Sequence, residues 1–504
     1  MSRVRTATLM GVDGVAVEVE VRISSQLPRV EIVGLPEAAV RESAARVRAA
    51  LGSVGEKFPD RRVTVHLAPA ELRKSGAGLD LPIAVALLAA DGRVEAEALE
   101  GVALVGELAL DGRLRPLRGA LALALALRDA GCTTLIAPAA AAAEAALAEP
   151  LEVRPAERLD AVLEHLRGGE PLPRALAPVL RGDDFSGPDL CEVRGQEGAK
   201  RGLEIAAAGG HGALLVGAPG AGKTMLARRL PGFLPDLEPD EVLEVTRIHG
   251  AVTPLSQPVV WRRPFRAPHH SASPAGLIGG GSPPRPGEVS LAHRGVLFLD
   301  ELPEFERRCL ESLRQVLEER RVVLVRARAH VSFPADFQLV AAANPCPCGW
   351  LGSGLRECRC DEGRIARYRA RISGPLLDRI DLHLAVRPLA WKDLDARPPA
   401  GEDSSSVRER VLRARDRQRR RSGGPNARLP DASLDATVDA SAEARALLGR
   451  AVDGFGLSAR GARRVLRVAR TIADLAGTRR TGVECVAEAL AYREDAGEPA
   501  GIGR

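Results

Sequence analysis

Aromatic residues are scarce in this chain of 504 residues, since Phe, Trp and Tyr together make up only 3% of it. Long apolar runs are missing as well: the apolar segment 121–127 is too short to cross a membrane and ends at Arg128. The first ten residues contain no apolar signal core. We therefore expect a cytoplasmic protein without a membrane partner, whose eight cysteines serve a purpose other than disulfide bonding.

A large excess of charge of one sign is also absent. Lys and Arg number 71 against 66 for Asp and Glu, which gives a formal net charge of +5. This mildly basic balance permits nucleic-acid binding but does not require it. The chain length predicts about three domains.

A phosphate-binding loop follows the short apolar segment 213–216. Its sequence, GAPGAGKT, fits the pattern G-x-x-x-x-G-K-[ST], and a helix is predicted directly after it. We expect Lys223 to reach the β- and γ-phosphates of ATP and the Thr224 hydroxyl to ligate Mg²⁺. The predicted nucleotide-binding residues are Gly217, Ala218, Pro219, Gly220, Ala221, Gly222, Lys223 and Thr224.

Two later apolar segments predict the partners of this loop. Residues 296–299 read as a buried strand that ends in Asp300 and Glu301. We expect Asp300 to hold the magnesium shell, and Glu301 to orient and deprotonate the attacking water. Residues 339–343 predict another buried strand, whose terminal Asn344 is suited to hydrogen-bond the γ-phosphate or that water.

Two arginines are the remaining catalytic candidates. Arg379 is the candidate arginine finger, acting on the nucleotide of a neighbouring subunit, which implies a ring. The alternative for Arg379 is a surface salt bridge to Asp378 or Asp381. Arg460 is the predicted second sensor, touching the γ-phosphate from a helical lid, and Arg463 is its alternate.

Four of the eight cysteines fall within fifteen residues: Cys346, Cys348, Cys358 and Cys360. Two C-x-C pairs around a Gly-containing loop suit a closed tetrahedral Zn²⁺ site, although the usual zinc spacing is C-x₂₋₄-C. The sequence leaves structural zinc and free thiols open as alternatives. The adjacent His269 and His270 have no further ligand at metal spacing and predict a polar loop.

The chain divides into four predicted segments. Residues 1–170 form an α+β domain, 171–188 a Pro- and Gly-rich linker, 189–390 the parallel-sheet core and 391–504 a helical lid. The core has two insertions, a Gly-rich loop at 263–290 and a hairpin at 320–334 with Arg326, Arg328 and His330 near its tip. The lid begins with a helix, 407–421, whose eight arginines are either a solvated face or contacts to a phosphate backbone.

The segment GVALVGELALDGRLRPLRGALALALALRDAGCTTLIAP resembles the latter half of a Lon-protease-type domain. Peptidases of that type cut with a Ser-Lys dyad. The corresponding positions fall near Gly78 and Leu121, neither of which can act as nucleophile or base. The resemblance therefore implies a Lon-like scaffold without the catalytic dyad, and peptidase activity is not expected.

The whole set of motifs, in order, closely resembles the Mg-chelatase-like AAA+ ATPases of the YifB/ComM family. Besides the Lon-like domain and the phosphate loop, it comprises HRGVLFLDELPEF, NPCPCG, RYRARISGPLLDRID and LSARGARRVLRVARTIADLAG. The resemblance implies a multidomain α/β protein that hydrolyses ATP as a hexameric ring. It also implies DNA binding and branch migration during natural transformation. The alternative function is a protein-remodelling or chelatase-type motor whose Lon-like domain binds a polypeptide.

Overall fold

The computed structural model describes residues 1–74, 76, 78–180, 187–326, 329–389, 401–455 and 457–494. Arg328, part of the predicted linker and the start of the predicted lid lie outside the described residues, as do the side chains of Arg326 and His330. The chain forms an N-terminal mixed sheet, a parallel-sheet core and a set of C-terminal helices. No helix within the described ranges is both long and apolar enough to span a bilayer.

The N-terminal domain is built on a seven-stranded sheet. The alternation at Val17, Val19 and Val21 predicts a half-buried strand, and all three valines are buried on one face. The strands follow the spatial order Arg29–Val33, Arg62–Ala68, Asp13–Ser24, Ser2–Met10, Val102–Leu104, Thr134–Pro138 and Glu152–Ala156. Its helices are Ala38–Arg41, Ser43–Ser53, Asp80–Ala90, Ala120–Asp129, Ala139–Ala145 and Leu159–Leu166.

Two features of this sheet differ from the sequence expectation. The strand Ser2–Met10 has no apolar alternation, because two of its buried residues are Thr6 and Thr8, yet it pairs along its full length with the next strand. The Asp111-Gly112 turn signal predicts a hairpin over residues 102–114, which forms only in part. Its turn joins the short strands Glu107–Leu108 and Leu114–Arg115, whereas the preceding strand pairs within the main sheet instead.

The core sheet has five strands, and every pair in it is parallel. Their spatial order is Phe265–Arg266, Val296–Leu299, Gln338–Ala343, Ala213–Gly217 and Leu382–Val386. Because the strands run the same way, their carboxyl ends meet at one edge of the sheet and their amino ends at the other. We call these the carboxyl edge and the amino edge.

Helices and two small hairpins surround the core sheet. The predicted hairpin insertion is present as Arg321–Arg326 paired with Ala329–Pro334, and Gly279–Gly280 pairs with Arg285–Pro286 in the Gly-rich insertion. The helices are Glu197–Gly209, Lys223–Ala227, Pro239–Val252, Pro274–Ile278, Glu288–Leu291, Arg307–Glu319, Glu362–Arg369 and Gly374–Leu377.

The C-terminal helices share a hydrophobic cluster with the core. Residues such as Val411, Val465 and Val486 pack in one cluster with Leu203 and Leu384. Asp403 caps the first helix by accepting a hydrogen bond from a backbone N–H. The helices are Ser404–Ser422, Leu434–Val438, Ala442–Phe455, Ala459–Ala476 and Val483–Glu494.

The eight arginines of the first C-terminal helix all have partners within the protein, although the side chains of Arg413, Arg419 and Arg420 remain exposed. Several of them join this helix to the core or to the later helices, and the others pair within the helix. The partners are Asp236 for Arg408, Glu204 and Glu402 for Arg410, Glu409 for Arg413, the Ala207 carbonyl for Arg415, the Asp474 carbonyl for Arg417, Glu238 for Arg419, Asp416 for Arg420 and the Asp474 carboxylate for Arg421.

The N-terminal domain packs directly on the core. Leu121 of the first and Val242 of the second belong to one buried cluster, and the Gly119 N–H donates to the Gly250 carbonyl oxygen at 2.8 Å. The tip of the first N-terminal hairpin places Val12 in the buried cluster beneath the core sheet. The two regions therefore form a continuous packed body.

Candidate nucleotide-binding site

The phosphate loop leaves the strand Ala213–Gly217 at the carboxyl edge. A Cβ on Gly217 would lie 2.2 Å from the Val386 carbonyl oxygen, so only glycine fits between the adjacent strands. Gly220 and Gly222 have φ values of +77° and +99°, a region that L side chains rarely adopt. The three glycines thus permit the tight loop that the sequence predicts.

Lys223 points into the loop rather than towards solvent. Its Nζ donates to the carbonyl oxygens of Gly217 at 2.7 Å and Ala218 at 3.0 Å, and to Asn344 Oδ1 at 2.9 Å. Burial lowers the pKa of Lys223, because the charged ammonium loses water contacts. The predicted sensor side chain therefore touches the phosphate-binding lysine within one chain.

The predicted magnesium ligands are also in contact. The Thr224 hydroxyl donates to Asp300 Oδ2 at 2.6 Å, and the other carboxylate oxygen accepts from the Glu301 backbone N–H at 3.0 Å. Hydroxyl and carboxylate oxygens are the ligands that Mg²⁺ prefers. These residues therefore fit a magnesium ion beside the lysine.

Glu301 occupies a strained backbone conformation at the end of its strand, with φ of +52°. Its carboxylate is exposed, and Oε2 lies 3.3 Å from His270 Nδ1. The sequence missed this contact, because His270 follows a strand of only two residues that carries no apolar pattern. The imidazole of His270 is a polar neighbour of the predicted catalytic base.

The side chain of Gln196 contacts the phosphate loop at Ala221. Its side-chain amide donates to the Ala221 carbonyl oxygen at 3.2 Å and also to the Arg387 carbonyl oxygen. The backbone of Gln196 has φ of +60°, at the cap of the helix Glu197–Gly209. The segment before that helix thus borders the phosphate loop.

A cavity of about 710 Å³ lies at the amino edge, across the sheet from the phosphate loop. Gly212, Gly295 and Leu339, at the amino ends of three adjacent strands, form its floor. Its walls are strongly basic, with ten arginines against five acidic residues. The arginines are Arg263, Arg294, Arg320, Arg379, Arg415, Arg428, Arg460, Arg463, Arg464 and Arg467.

Arg379, the candidate finger, lies in this wall and is almost fully buried. Its guanidinium pairs with the Glu318 carboxylate and donates to the Pro375 carbonyl oxygen. Among the described residues, no ion pair joins it to Asp378 or Asp381. The predicted alternative named the wrong partner, since the salt bridge is to Glu318. Arg379 must leave Glu318 before it can reach another molecule.

The helix Ala459–Ala476 presents four arginines to the same cavity. They share one helical face, because they are spaced three or four residues apart. Two of them pair with Asp431 and one with Asp381. The four are Arg460, Arg463, Arg464 and Arg467.

Arg460 is the least constrained of these arginines. It is exposed, and within the described part of the chain no ion pair to it is present, whereas Arg463 donates to the Asp431 carbonyl oxygen at 3.1 Å. This difference favours Arg460 over Arg463 as the residue free to bind a phosphate. The structure does not place Arg460 at the phosphate loop of its own chain.

Arg460 lies away from that loop because of how the helix Ala459–Ala476 docks. The buried Asp381, which precedes the edge strand, hydrogen-bonds His211 Nδ1 at 3.1 Å and pairs with Arg464, while His211 Nε2 lies 2.8 Å from the Thr471 hydroxyl. Burial alone would raise the pKa of Asp381, but His211 and Arg464 hold it well below its usual value. This buried network holds the helix at the amino edge. Asp381 lies beside Gly212, and five residues of strand, or about 16 Å, separate Gly212 from Gly217.

The four clustered cysteines converge, although they come from two separate turns. All four sulfur atoms lie within 4.8 Å of one another, and Cys346 is buried. Sγ–Sγ distances are 3.4 Å between Cys346 and Cys348, and 3.6 Å from each of them to Cys358. The cluster begins two residues after Asn344, beside the nucleotide-binding site.

The fold and the site together define a nucleotide-binding module of the AAA+ class, of the Mg-chelatase-like kind. The family described as magnesium chelatase, subunit ChlI, matches residues 189–394, its C-terminal family matches 401–493, and a third ChlI family matches 19–141. The chain is 44% identical to the uncharacterized protein YifB of Salmonella typhimurium over 97% of this chain and 96% of that protein. It is also 44% identical to the competence protein ComM of Haemophilus influenzae, over 96% of each chain. An uncharacterized protein of Mycobacterium tuberculosis is 44% identical over 98% of this chain and 99% of its own.

The chain therefore belongs to the YifB/ComM family of Mg-chelatase-like AAA+ proteins. Membership implies ATP and Mg²⁺ as cofactors. The residues at the carboxyl edge fit both, since they offer a half-buried lysine for phosphate and adjacent oxygen ligands for the metal.

Proposed function

We propose that this chain is an ATP-hydrolysing ring motor that acts on DNA. The observation that carries the proposal is the division of the site between two edges of one sheet. The carboxyl edge brings together Lys223, Thr224, Asp300, Glu301 and Asn344. The amino edge collects arginines that have no nucleotide-binding loop of their own.

At the carboxyl edge, each side chain has a distinct role in hydrolysis. Lys223 would exchange its carbonyl partners for phosphate oxygens. Thr224 and Asp300 would hold Mg²⁺, which would supply positive charge beside the phosphates. Glu301 accepts a proton from the attacking water, because its exposed carboxylate projects beyond the strand end. Asn344, already bonded to Lys223, lies where it can align the γ-phosphate or the water.

The amino edge supplies the missing positive charge to a neighbouring copy. Phosphoryl transfer builds negative charge on the equatorial oxygens, and an arginine in trans stabilises it. Arg379 and Arg460 line one cavity and are too far along the strands to serve their own phosphate loop. A closed ring, hexameric by resemblance to the family, gives every subunit both a site and a donor of arginines.

DNA is the proposed substrate because of the relatives rather than a charged surface. The similar protein of Haemophilus influenzae is named a competence protein, and the family resemblance implies branch migration during natural transformation. The arginines of the helix Ser404–Ser422 give little support, since they pair within the protein. DNA contact is therefore assigned to the ring interior, where we place the hairpin Arg321–Arg326 and Ala329–Pro334.

One observation favours a protein-remodelling motor as the second candidate. The strand Arg321–Arg326 exposes Val323 and Val325, which are 46% and 62% accessible. Apolar side chains at this hairpin suit an unfolded polypeptide better than a phosphate backbone. In this case a protein partner, not DNA, would stimulate hydrolysis.

The test is ATP turnover with and without single-stranded, duplex and four-way DNA, at low and moderate salt. We expect stimulation by DNA that weakens as salt rises, because salt competes with phosphate contacts. Glu301→Gln is the control, since contaminating ATPases would survive this substitution. Turnover that no DNA changes would overturn the DNA assignment and leave the remodelling motor as the better account.

A further inference from the structure

The segment 344–361 connects the sensor strand to the helix Glu362–Arg369 and contains neither helix nor strand. Such a segment has few backbone hydrogen bonds of its own, so other interactions must fix its conformation. One turn is closed by the Gly349 N–H, which donates to the Cys346 carbonyl oxygen at 2.9 Å. Its exposed middle part, residues 354–357, contributes no apolar core.

This segment nevertheless packs tightly on the phosphate loop. A Cβ on Gly349 would lie only 2.5 Å from Pro219 Cδ, so the backbone of the cysteine turn rests directly on the loop proline. The same Cβ would lie 3.8 Å from Asn344 Cγ, and the helix that follows the segment buries Tyr368. The position of Asn344 therefore depends on how this segment is held.

The four sulfur atoms have the arrangement of a metal site. A tetrahedral Zn²⁺ with Zn–S bonds of about 2.3 Å separates its sulfurs by about 3.8 Å. The three Sγ–Sγ distances of 3.4 to 3.6 Å are close to this value, and Cys360 completes the set within 4.8 Å. All four are free thiols, and these separations are far longer than the bond of about 2.0 Å in a disulfide.

We infer that Cys346, Cys348, Cys358 and Cys360 bind one structural Zn²⁺ as a closed tetrathiolate site. The ion joins the turn after Asn344 to the turn before the helix Glu362–Arg369. It thereby holds the segment 344–361 against the phosphate loop. Zinc with four thiolates has no open position, so its role here is structural and it takes no part in hydrolysis.

The positioning role rests on the proposed nucleotide site, whereas zinc binding does not. The first experiment is therefore metal analysis of the full-length protein, purified without chelators. We expect about one Zn²⁺ per chain, released by a thiol-specific mercurial reagent in proportion to the cysteines modified. Protein loaded with Co²⁺ should show thiolate charge-transfer bands and the absorption of tetrahedral cobalt.

Matched variants assign the zinc to this cluster. Cys358→Ser combined with Cys360→Ser should reduce bound zinc to less than about one-tenth per chain, because half of the ligands are lost. Cys191→Ser is the control, since this cysteine is also partly exposed but lies outside the cluster, and it should retain the metal. Wild-type protein free of stoichiometric zinc, or a double variant that keeps it, would overturn the inference.

The positioning role has its own readout. Zinc removal should speed amide hydrogen exchange across residues 344–361 and at the phosphate loop, and weaken binding of a fluorescent ATP analogue about tenfold. The control variant should change neither. A zinc-free protein with unchanged exchange and nucleotide affinity would refute the positioning role, even if the metal content is as expected.

Discussion

The two edges of the core sheet differ in how complete they are within one chain. At the carboxyl edge, Lys223 contacts Asn344 at 2.9 Å and Thr224 contacts Asp300 at 2.6 Å within one chain. At the amino edge, the basic cavity contains Arg379 and nine other arginines but no phosphate-binding loop. Under the proposed function, the carboxyl edge binds the nucleotide and the amino edge completes the site of another copy. A single chain would then be an incomplete enzyme.

The largest loss of ATP turnover is expected when Arg379 is removed from the amino edge. Although Arg379 lies far from its own phosphate loop, Arg379→Ala should lower ATP turnover by about 10³ to 10⁵, because the charge supplied to the neighbouring site is lost. ATP affinity should change little, as measured with a fluorescent analogue. Glu318→Gln is the control, because it removes the present partner of Arg379 without removing the guanidinium. Turnover near wild type in Arg379→Ala would remove this residue from the mechanism.

The matching substitution at the carboxyl edge is Glu301→Gln. It should reduce turnover by about 10² to 10⁴, because an amide cannot accept the proton of the attacking water. Nucleotide binding should persist, since Lys223 and Thr224 are untouched. Equilibrium binding and steady-state hydrolysis separate these effects, and hydrolysis at the wild-type rate would exclude Glu301 as the base.

Two arginines of the amino edge, Arg460 and Arg463, are expected to differ in their effect on turnover. Arg460→Ala should lower turnover more than tenfold, because an exposed guanidinium that aids a neighbour is lost. Arg463→Ala should have a smaller effect, since Arg463 already binds the Asp431 carbonyl oxygen. Parallel turnover assays decide between them, and a larger loss in Arg463→Ala would reverse the assignment.

The last expected effect concerns stability rather than turnover. Burial lowers the pKa of His383, on the strand Leu382–Val386, to about 4. The unfolded chain accepts this proton below about pH 6.5 and the folded chain does not, so stability falls as pH drops from 6.5 to 4, by about 3 kcal/mol. Denaturant unfolding of wild type and His383→Asn across this range measures the effect. An equally steep pH dependence in both proteins would assign it to other groups.

The sequence predicted the carboxyl edge far better than the amino edge. Its residues sit in short motifs at strand ends, and parallel strands necessarily bring such ends together. The amino-edge cavity depends on where distant helices dock, through contacts such as His211 with Asp381 and Thr471, which no local pattern encodes. The pairing of Arg379 with Glu318 was missed for the same reason.

The N-terminal domain shows a second limit of local patterns. Alternating valines identify the strand Asp13–Ser24, whereas its partner Ser2–Met10 buries Thr6 and Thr8 and does not look apolar. The convergence of the four cysteines was foreseeable from their clustering. Their packing on Pro219, through Gly349, became visible only in the structure.

The central claim is that one chain binds the nucleotide and a neighbouring chain supplies the arginine. Mixing two inactive variants tests this claim most directly. Glu301→Gln and Arg379→Ala chains with different tags are combined, co-purified through both tags to obtain mixed oligomers, and assayed for ATP turnover. About a quarter of the interfaces formed by random mixing join an intact Glu301 to an intact Arg379 from the next subunit. We therefore predict that the mixture regains activity that neither variant has alone. Co-purified mixed oligomers that remain as inactive as the separate variants would contradict the account.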